Sequence, residues 1–368
     1  MSVNRRSFLL ATPLAAHAAT WQDTPKVPTA VIGTGGRGSY LLRGVLEQSN
    51  TKVAMLCDNK PDRLDKAATA AARDNPKTTT DWRKVIDDKS IEAVFIATPP
   101  HLHAEMAIAA IKAGKHVYCE KPIGIKASEI RQLLAAAKAS KKVFVAGQQL
   151  RSMTMLQEAV GKIHDGIIGD IVMVKAQRHA TADLPHDGSS GDWYFDVNKG
   201  GGYLVEQSVH NLDLINWVMN AHPEKACGWG AINFYKNQPP GRTIFDCGSM
   251  VFNYPKNVQM SFTQMVFHPR AMPLGNQYVH VFGTKGSVDL MGAPTMFPIG
   301  GGPAALLAEK RKESPHAHIE MFYRSIIENK PSPADATVGA AAALTAILGH
   351  EAMAKQQIVN WSDFGIAI

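Results

Sequence analysis

Three ionisable side chains lie at helical spacing in one apolar segment of the chain. Glu206 and His210 are four residues apart, and Asp213 follows His210 by three residues. A helix over 203–218 would therefore point all three toward one face. A carboxylate beside a histidine can orient the imidazole and tune its pKa near neutrality, which suits general acid–base catalysis. The same spacing also fits a surface ion pair beside a core histidine, and the segment alone does not separate the two.

A second reactive residue, Lys121, follows a short apolar run that is typical of a buried strand. The run is 116–119, and Glu120, Lys121 and Pro122 come directly after it. Side chains that follow a parallel strand stand at the carboxyl edge of the sheet, where folds of this type bind ligands. A lysine there can donate to a substrate hydroxyl or to a cofactor, whereas most lysines are solvated surface residues. The segment 97–103, Ala-Thr-Pro-Pro-His-Leu-His, occupies the same edge one strand earlier.

The elements that must position these side chains begin at a glycine-rich turn. Gly33 to Gly38 read G-x-G-x-x-G between an apolar strand-like run, 27–32, and a helix-like run, 39–47. A phosphate can approach such a turn closely and meet the positive end of the helix. Asp58 ends the next strand-like run, where a ribose-binding acid stands in dinucleotide folds. A glycine turn without a ligand is the alternative, but strand, glycines, helix, strand and acid in this order favour a nucleotide site.

The order of elements predicts two domains after the first residues. Strand-like and helix-like runs alternate over 26–148, which indicates a doubly wound parallel sheet. Over 149–368 strands follow one another, and apolar and polar residues alternate in 258–263, as in an antiparallel sheet with one covered face. We therefore expect an α/β chain with an N-terminal Rossmann domain and a C-terminal α+β domain that has an open, mostly antiparallel sheet. Two glycine-rich loops, 182–202 and 292–302, are long enough to cover a site.

Together these motifs resemble those of the Gfo/Idh/MocA family, named after glucose–fructose oxidoreductase and inositol dehydrogenase. The similarity covers nearly all of the chain after its first residues, and it rests on the segments 33–38, 97–103, 114–122, 200–213 and 282–286. The resemblance implies NAD or NADP in the first domain. It also implies a sugar site in the second domain, whose open sheet often forms the oligomer contact in this family. We accordingly expect a small carbohydrate substrate and a homo-oligomer.

The resemblance also assigns roles to residues. The family's lysine falls on Lys121 and its acid–base histidine on His210, while Glu206 and Ser208 stand where the family usually has aspartate and glycine. These two departures bear on the identity of the substrate more than on the basic chemistry. The expected catalytic residues are Lys121, His210 and Glu206. The expected cofactor ligands are Gly33, Gly35, Gly36, Arg37, Gly38, Asp58, Thr98, Pro99, His103, Glu120 and Lys121. The expected substrate contacts are Arg151, Trp193 and Asp213.

Two of these assignments concern the bound molecules directly. His103 is expected beside the nicotinamide, as in the family. The aromatic run that begins at Trp193 would stack on a sugar or on the cofactor, although it would equally serve as an apolar plug that anchors its loop. The charge of Asp58 would repel a 2′-phosphate, and its neighbours Asn59 and Lys60 include no arginine. NAD is therefore expected in preference to NADP.

The sequence predicts a NAD(P)-dependent oxidoreductase that acts on a hydroxyl of a sugar, polyol or glycoside. His210 would take the hydroxyl proton while hydride moves to the nicotinamide, and Lys121 would stabilise the developing alkoxide. Glu206 and Asp213 would support His210 or bind the substrate. Two alternatives stay open. One is a redox-neutral glycoside hydrolase or lyase that uses NAD transiently, and the other is a non-enzymatic nucleotide-binding protein.

The first residues carry a separate signal. Residues 4–10, Asn-Arg-Arg-Ser-Phe-Leu-Leu, resemble the twin-arginine export motif, and a weakly apolar run leads to a small-x-small site at 16–18. We therefore exclude 1–20 from the fold and expect a periplasmic or otherwise exported enzyme, with no membrane partner once the signal is removed. Free NAD should be scarce outside the cytoplasm, so the cofactor is expected to stay tightly held.

Composition argues against other kinds of partner. The formal net charge of +7 is modest, and no run of Lys and Arg interleaves with aromatic residues, so nucleic acid is not an expected partner. The histidine pairs within 101–103 and 316–318 have no matching partner cluster, so no metal is expected. The four cysteines show no C-x-x-C spacing, although export would permit a bridge between Cys227 and Cys247.

Overall fold

Two sheets organise the part of the chain that the structure describes. The computed structural model describes residues 26–181, 193–273, 275–309 and 311–368. The predicted export segment, 1–20, lies outside these ranges, and so does most of the first glycine-rich loop. The first sheet is wholly parallel and the second mostly antiparallel, which confirms the predicted α/β fold.

The first sheet has six strands in the order β3-β2-β1-β4-β5-β6. These strands are β1 (Val27–Ile32), β2 (Thr51–Cys57), β3 (Lys77–Thr79), β4 (Ala93–Ile96), β5 (His116–Cys119) and β6 (Phe144–Ala146). β4 is buried along its whole length, as a strand covered on both faces must be. The strand order reverses between β1 and β4, and ligands bind at the carboxyl ends of the strands at such a reversal.

Helices cover both faces of this sheet, and the apolar residues form a separate cluster on each face. The helices are α1 (Gly36–Glu47), α2 (Pro61–Ala70), α3 (Trp82–Asp87), α4 (His103–Lys112) and α5 (Ala127–Lys138), with 3-10 turns at Ala72–Asp74 and Pro100–Leu102. Helix α2 starts at a proline. It begins at Pro61 because a proline at the first helical position has no N–H to leave unpaired.

The second sheet has nine strands in the order β14-β13-β12-β11-β7-β10-β9-β8-β15. They are β7 (Ile171–Thr181), β8 (Lys225–Ala231), β9 (Cys247–Tyr254), β10 (Val258–His268), β11 (Gln277–Gly283), β12 (Gly286–Asp289), β13 (Thr295–Pro298), β14 (Ala305–Leu306) and β15 (Val359–Asn360). Neighbours are antiparallel except β7 and β10, which are parallel. Val258, Met260 and Phe262 of β10 are buried, as their alternation with polar residues predicts.

The remaining helices pack mainly on one face of the second sheet or between the two sheets. They are α6 (Thr154–His164), α7 (Val197–Gly200), α8 (Val209–Met219), α9 (Ala317–Ile327) and α10 (Ala336–Lys355), with 3-10 turns at Gln149–Ser152, Pro255–Asn257 and Trp361–Phe364. α9 returns to the first sheet, where Ile319 and Phe322 are buried in the cluster that holds α1.

Helix α10 joins the two halves of the described structure. It contacts α5 and β6 on one side and α8, β8 and β9 on the other. Small residues permit this close packing: a Cβ added at Gly339 would lie 2.6 Å from the Ala146 Cβ, and one at Gly349 would lie 2.5 Å from the Phe252 Cζ. Among the described helices, α10 alone has the length and apolarity of a membrane span, and 72% of its most apolar window is buried inside the protein. It is therefore a core helix.

The helix predicted over 203–218 differs from the expectation at its start. Residues Leu204–Ser208 form a π-helical turn, and the regular α-helix α8 begins only at Val209. A π turn closes i→i+5 hydrogen bonds and holds more residues than an α turn. Side chains in it are rotated relative to those in α8, so the four-residue spacing of Glu206 and His210 does not have its α-helical meaning.

Candidate active site

The glycine-rich turn connects β1 to α1 in a shape that only glycine allows. Gly33 has a φ of +85°, and a Cβ there would lie 2.6 Å from the Ala97 carbonyl oxygen. A Cβ on Gly38 would lie 1.7 Å from the Gly33 carbonyl oxygen. Gly35 caps α1 without any side-chain hydrogen bond, and nothing lies within 4 Å of a Cβ at Gly36. The first N–H groups of α1 therefore face a clear approach, which fits the pyrophosphate of a dinucleotide.

Asp58 stands beside this turn at the end of β2. It is 6% exposed, and its Oδ2 accepts hydrogen bonds from the Thr34 backbone N–H (2.7 Å) and hydroxyl (3.2 Å). Its Oδ1 accepts from the Lys60 N–H at 2.9 Å. A carboxylate has about four lone-pair sites, so acceptor capacity remains for ribose hydroxyls. The Asp58 carboxylate thus stabilises the glycine turn. It lies where the sequence predicts the residue that binds the ribose.

A cation that was not predicted from the sequence also lies beside the glycine turn. Arg63 lies in the first turn of α2, and its Nη1 is 3.1 Å from the position that a Cβ on Gly35 would occupy. The guanidinium therefore reaches the glycine turn from the side of Asp58. Arg63 follows Asp58 by five residues, in the first turn of the helix after β2. This spacing is the signal that could have placed Arg63 beside the glycine turn. The absence of an arginine next to Asp58 in the sequence does not mean the absence of one in space.

Lys121 and Glu206 form an ion pair that joins the two halves of the site. The Lys121 Nζ donates to the Glu206 Oε1 at 2.7 Å and to the Glu206 carbonyl oxygen at 2.6 Å. The two side chains are only 13% and 11% exposed. Gln207 also donates to the Glu206 carboxylate. Glu206 was expected to support His210 or to bind the substrate; in the structure the π turn directs its carboxylate to the lysine instead of to His210.

His210 has a different partner and a different electrostatic setting from those expected. Its Nδ1 lies 3.2 Å from the Gln148 Oε1, and Gln148 is 2% exposed. Because an amide oxygen only accepts, Nδ1 carries the proton and Nε2 keeps its lone pair. Burial, followed by the positive charges of Lys121 and Arg178, lowers the pKa of His210 well below its usual value. The imidazole is therefore neutral, with a free lone pair at Nε2. Among the described residues, no carboxylate contributes to raising its pKa toward neutrality.

Arg151 and Asp213, both expected to contact substrate, contact each other. The Arg151 Nε lies 3.0 and 2.9 Å from the two carboxylate oxygens, and its Nη2 lies 2.9 Å from Oδ1. The side chains are 11% and 1% exposed, and the guanidinium also lies 5.1 Å from the centre of the Trp217 ring. The pair fastens the turn at Gln149–Ser152 to α8. The Arg151–Asp213 pair therefore stabilises the position of α8, which carries His210.

Arg37 and Glu120, both expected cofactor ligands, form a second ion pair beside the glycine turn, in which only the carboxylate is buried. The Arg37 Nε lies 2.7 Å from the Glu120 Oε1, and the other carboxylate oxygen accepts from the Lys121 N–H at 3.2 Å. Arg37 also reaches the Gln149 Oε1 at 3.4 Å and lies over the Tyr40 ring. The pair therefore bridges the turn and the segment that carries Lys121.

His103, which was expected beside the nicotinamide, is buried at the carboxyl edge of the first sheet. It is 1% exposed, and its two ring nitrogens each lie 2.7 Å from a backbone carbonyl oxygen, of Pro122 and of Thr98. It ties together the two loops at the carboxyl edge of the sheet. Thr98 and Pro99 lie on that edge directly after β4, and the Thr98 hydroxyl is 3.6 Å from the Met106 sulfur.

Trp193 begins an aromatic run at the edge of the described residues. Its ring meets that of Tyr194 edge to face, with centroids 5.8 Å apart, and Tyr194 meets Phe195 in the same way. The negative charge of Glu206 contributes to a raised pKa of Tyr194, after burial as the larger cause. The run therefore lies within electrostatic reach of the Lys121–Glu206 pair, and most of the loop before it falls outside the described residues.

Other features of the described residues lie apart from this site. A cavity of about 670 Å³ is lined by residues including Lys142 and Phe144, at the amino end of β6 and so at the edge opposite the glycine turn. No group of three or more metal-ligating side chains occurs in the part of the chain that is described. Cys227 and Cys247 are free thiols on neighbouring strands, and they pair in register with Val251 and Ala231, not with each other.

Comparisons with known proteins agree with this arrangement. A family model described as "Oxidoreductase family, NAD-binding Rossmann fold" matches residues 27–148, and one described as "GFO/IDH/MocA C-terminal domain" matches 156–289. An uncharacterized oxidoreductase of Streptococcus pneumoniae is 25% identical over 303 residues, which cover 81% of this chain and 78% of that protein. A 2,7-anhydro-N-acetylneuraminate hydratase of Mediterraneibacter gnavus is 26% identical over 263 residues, with 71% and 66% covered.

A solved structure shows the same fold across both sheets. Levoglucosan dehydrogenase, in complex with NADH and L-sorbose, superposes with a TM-score of 0.78 at 20% identity, and the match covers 93% of this chain and 100% of that one. The two family models together match the first domain and residues 156–289 of the second. With its glycine turn and its lysine and histidine at the crevice, the chain belongs to the Gfo/Idh/MocA family of NAD-binding oxidoreductases.

Proposed function

We propose that the protein oxidises a hydroxyl of a sugar, polyol or glycoside with NAD, and that it keeps the nucleotide bound through turnover. One observation carries the proposal. A neutral His210 and the Lys121–Glu206 pair lie at the same end of the crevice as a glycine turn shaped for a dinucleotide. A base, a hydrogen-bond donor and a nucleotide cradle are the parts that oxidation of an alcohol requires.

The residues divide the work between proton transfer and positioning. The nicotinamide, when bound, supplies the hydride acceptor. His210 accepts the hydroxyl proton at Nε2, since Nδ1 is fixed as a donor to Gln148. Lys121 has three N–H groups, and Glu206 takes two of them, so one remains to donate to the substrate oxygen. Glu206 holds the lysine in place across the crevice.

A redox-neutral reaction is the second candidate, and a relative favours it. The hydratase relative covers most of this chain, and its name describes a reaction with no net oxidation. In such a cycle, oxidation of a ring hydroxyl to a ketone acidifies the neighbouring C–H bond. His210 or another base removes that proton, and the leaving group departs with a proton. In the hydrolase or hydratase form water then adds to the resulting enone, and in every form the hydride returns to the ketone. Glycoside consumption without accumulation of NADH would distinguish this cycle.

The predicted export is the reason to expect that the protein retains its cofactor. The twin-arginine-like residues 4–10 would send a folded, loaded protein out of the cytoplasm. A cofactor lost there would not be replaced from solution. We therefore infer that the hydride is passed on within the site, either to a second substrate or back to the first one. Fractionation of cells that produce the full chain, with an Arg5→Lys and Arg6→Lys variant as the control, tests the location.

The function is tested by releasing the nucleotide and then supplying substrates. Denaturation of the extensively dialysed protein should release NAD or NADH in near-stoichiometric amount. The dialysed protein should then convert a glycoside or polyol without added NAD and without net release of NADH. Strict dependence on added NAD, with one free NADH for each substrate consumed, would instead indicate a dehydrogenase that exchanges its cofactor.

A further inference from the structure

Arg178 is a cation near the end of β7 that belongs to the face of the sheet covered by helices. Along β7, Val174 and Ala176 are buried in the main apolar cluster together with residues of α8. Side chains alternate along a strand, so Arg178 shares the face of these two residues. It is partly buried and, after burial and Lys121, its charge is the next contributor to the low pKa of His210. The guanidinium therefore lies within electrostatic reach of the proposed base.

The hydrogen-bond partners of Arg178 are neutral. Its Nη2 donates to the Gln207 Oε1 at 3.4 Å, and its Nη1 donates to the Gln277 Oε1. Gln207 in turn donates to the Glu206 carboxylate. Arg178 is thus linked to the Lys121–Glu206 pair through one carboxamide. Burial raises the pKa of Tyr203 and a side-chain hydrogen bond from Arg178 opposes that rise, so the Tyr203 hydroxyl is a third neutral partner.

Three other cations around Lys121 and His210 are matched by carboxylates. Arg37 pairs with Glu120, Lys121 with Glu206, and Arg151 with Asp213. Within the described ranges, no carboxylate forms an ion pair with Arg178. In the described part of the site, Arg178 is therefore a positive charge near the base without a carboxylate partner. A partly buried charge without an opposite partner is unfavourable, and a bound anion would relieve that cost.

We propose that Arg178 binds a carboxylate of the substrate, so that the sugar is an acidic one such as a uronic acid or a uronide. This inference rests on the proposed function, because it assigns the substrate class of the same site. The planar guanidinium matches a carboxylate with two parallel N–H···O bonds, which would replace the two amide contacts. One unmatched charge suits a monoanion, whereas a phosphate dianion would call for a second unmatched cation.

The test compares substrates that differ only at the acidic group. Methyl glycosides of glucose and glucuronic acid, and of galactose and galacturonic acid, are supplied to the loaded wild-type protein, with the 6-phosphate as a third arm. The uronide should exceed the neutral glycoside by at least ~10-fold in kcat/KM, through a lower KM, as charge-assisted hydrogen bonds imply. Equal kcat/KM for the two would overturn the inference. A preference for the phosphate that depends on Arg178 would overturn the carboxylate assignment.

Variants assign the preference to the residue. Arg178→Gln should bring the ratio of uronide to neutral kcat/KM close to one, and Arg178→Lys should keep part of it because the charge remains. Arg83→Gln is the matched control, since that arginine is 63% exposed on α3, and it should keep the full ratio. An undiminished uronide preference in both Arg178 variants would overturn the inference.

Binding separates this inference from the proposed function. The melting temperature of the loaded protein is measured with glucuronate and with glucose. A shift with glucuronate that is reduced in Arg178→Lys and lost in Arg178→Gln, in a protein that turns over no sugar, supports the anion site and overturns the proposed oxidation. Turnover of neutral glycosides with no uronide preference does the reverse. If no sugar is bound or converted, both are overturned.

Discussion

At the scale of single residues, His210 is prepared to accept a proton and Lys121 to donate a hydrogen bond. Removal of a positioned acid–base group typically costs about 10²–10⁴-fold in rate. His210→Ala and Lys121→Ala should each reduce turnover by at least ~10²-fold. NAD should still bind to His210→Ala, because the glycine turn and Asp58 belong to the other sheet. His164→Ala, at the end of α6, serves as the control and should keep near-normal turnover; near-normal turnover in His210→Ala would remove it from the mechanism.

The pH dependence of turnover follows from the low pKa of His210. A general base must be unprotonated to accept a proton. Burial and nearby cations lower the pKa of His210, so its imidazole stays neutral when the pH falls below about 6.5, the usual pKa of a histidine. The acidic limb of the kcat profile should therefore lie below pH ~6.5. Arg178→Gln removes one of the charges that lower this pKa, so its acidic limb should move to higher pH. A limb that stays in place in this variant would show that Arg178 does not act on the base.

Cofactor choice depends on two residues with opposite charges. We expect NAD to be preferred over NADP, because the Asp58 carboxylate would repel a 2′-phosphate. Asp58→Ser should weaken NAD binding and relax the preference. Arg63 lies beside the same turn, so Arg63→Gln added to Asp58→Ser should abolish any gain in NADP affinity. Fluorescence titration of the nucleotide-free protein measures both constants, and tighter NADP binding by the wild-type protein would refute the role given to Asp58.

At the scale of elements, the sequence located the site better than it paired the residues within it. The positions of the glycine turn, Lys121 and His210 at strand ends and helix starts were visible in the sequence, and their roles in the site stay predictions. The partner of Glu206 was not visible, since the π turn at Leu204–Ser208 leaves no periodic signal. The pairing of Arg151 with Asp213, and the approach of Arg63 to the turn, depend on contacts across the fold that spacing cannot encode.

Helix α10 offers a matched test of packing with two glycines. In Gly349→Ala the new Cβ meets Phe252 and Leu204 at 2.5 and 2.8 Å, and overpacking of this kind costs about 1–3 kcal/mol of unfolding free energy. In Gly161→Ala, on the exposed face of α6, nothing lies within 4 Å, and the better helix propensity of alanine should add up to about 1 kcal/mol. Denaturant unfolding of the two variants should give changes of opposite sign. Equal changes would mean that the packing of α10 is looser than described.

At the scale of the whole molecule, the site is complete only when both sheets are in place. Lys121, Asp58 and the glycine turn come from the first sheet, and Glu206, His210 and Arg178 come from the elements around the second. Neither half holds a nucleotide cradle and a base together. Division into two such domains could be predicted from the alternation of elements over 26–148, because helices and strands alternate there and nowhere else. The way the halves are joined could not, since the Ala-rich sequence of α10 has almost no amphipathic pattern.

That junction has a consequence for how the protein melts. A helix that is buried against both sheets cannot lose its contacts with one while the other stays intact, so the two domains should share one cooperative unit. Calorimetry of the nucleotide-free protein should show a single transition whose calorimetric and van't Hoff enthalpies agree. Gly349→Ala, which disturbs only the side of α10 facing the second sheet, should lower the melting temperature of that single transition and should not split it. Two separate transitions would show that the first sheet folds independently of α10.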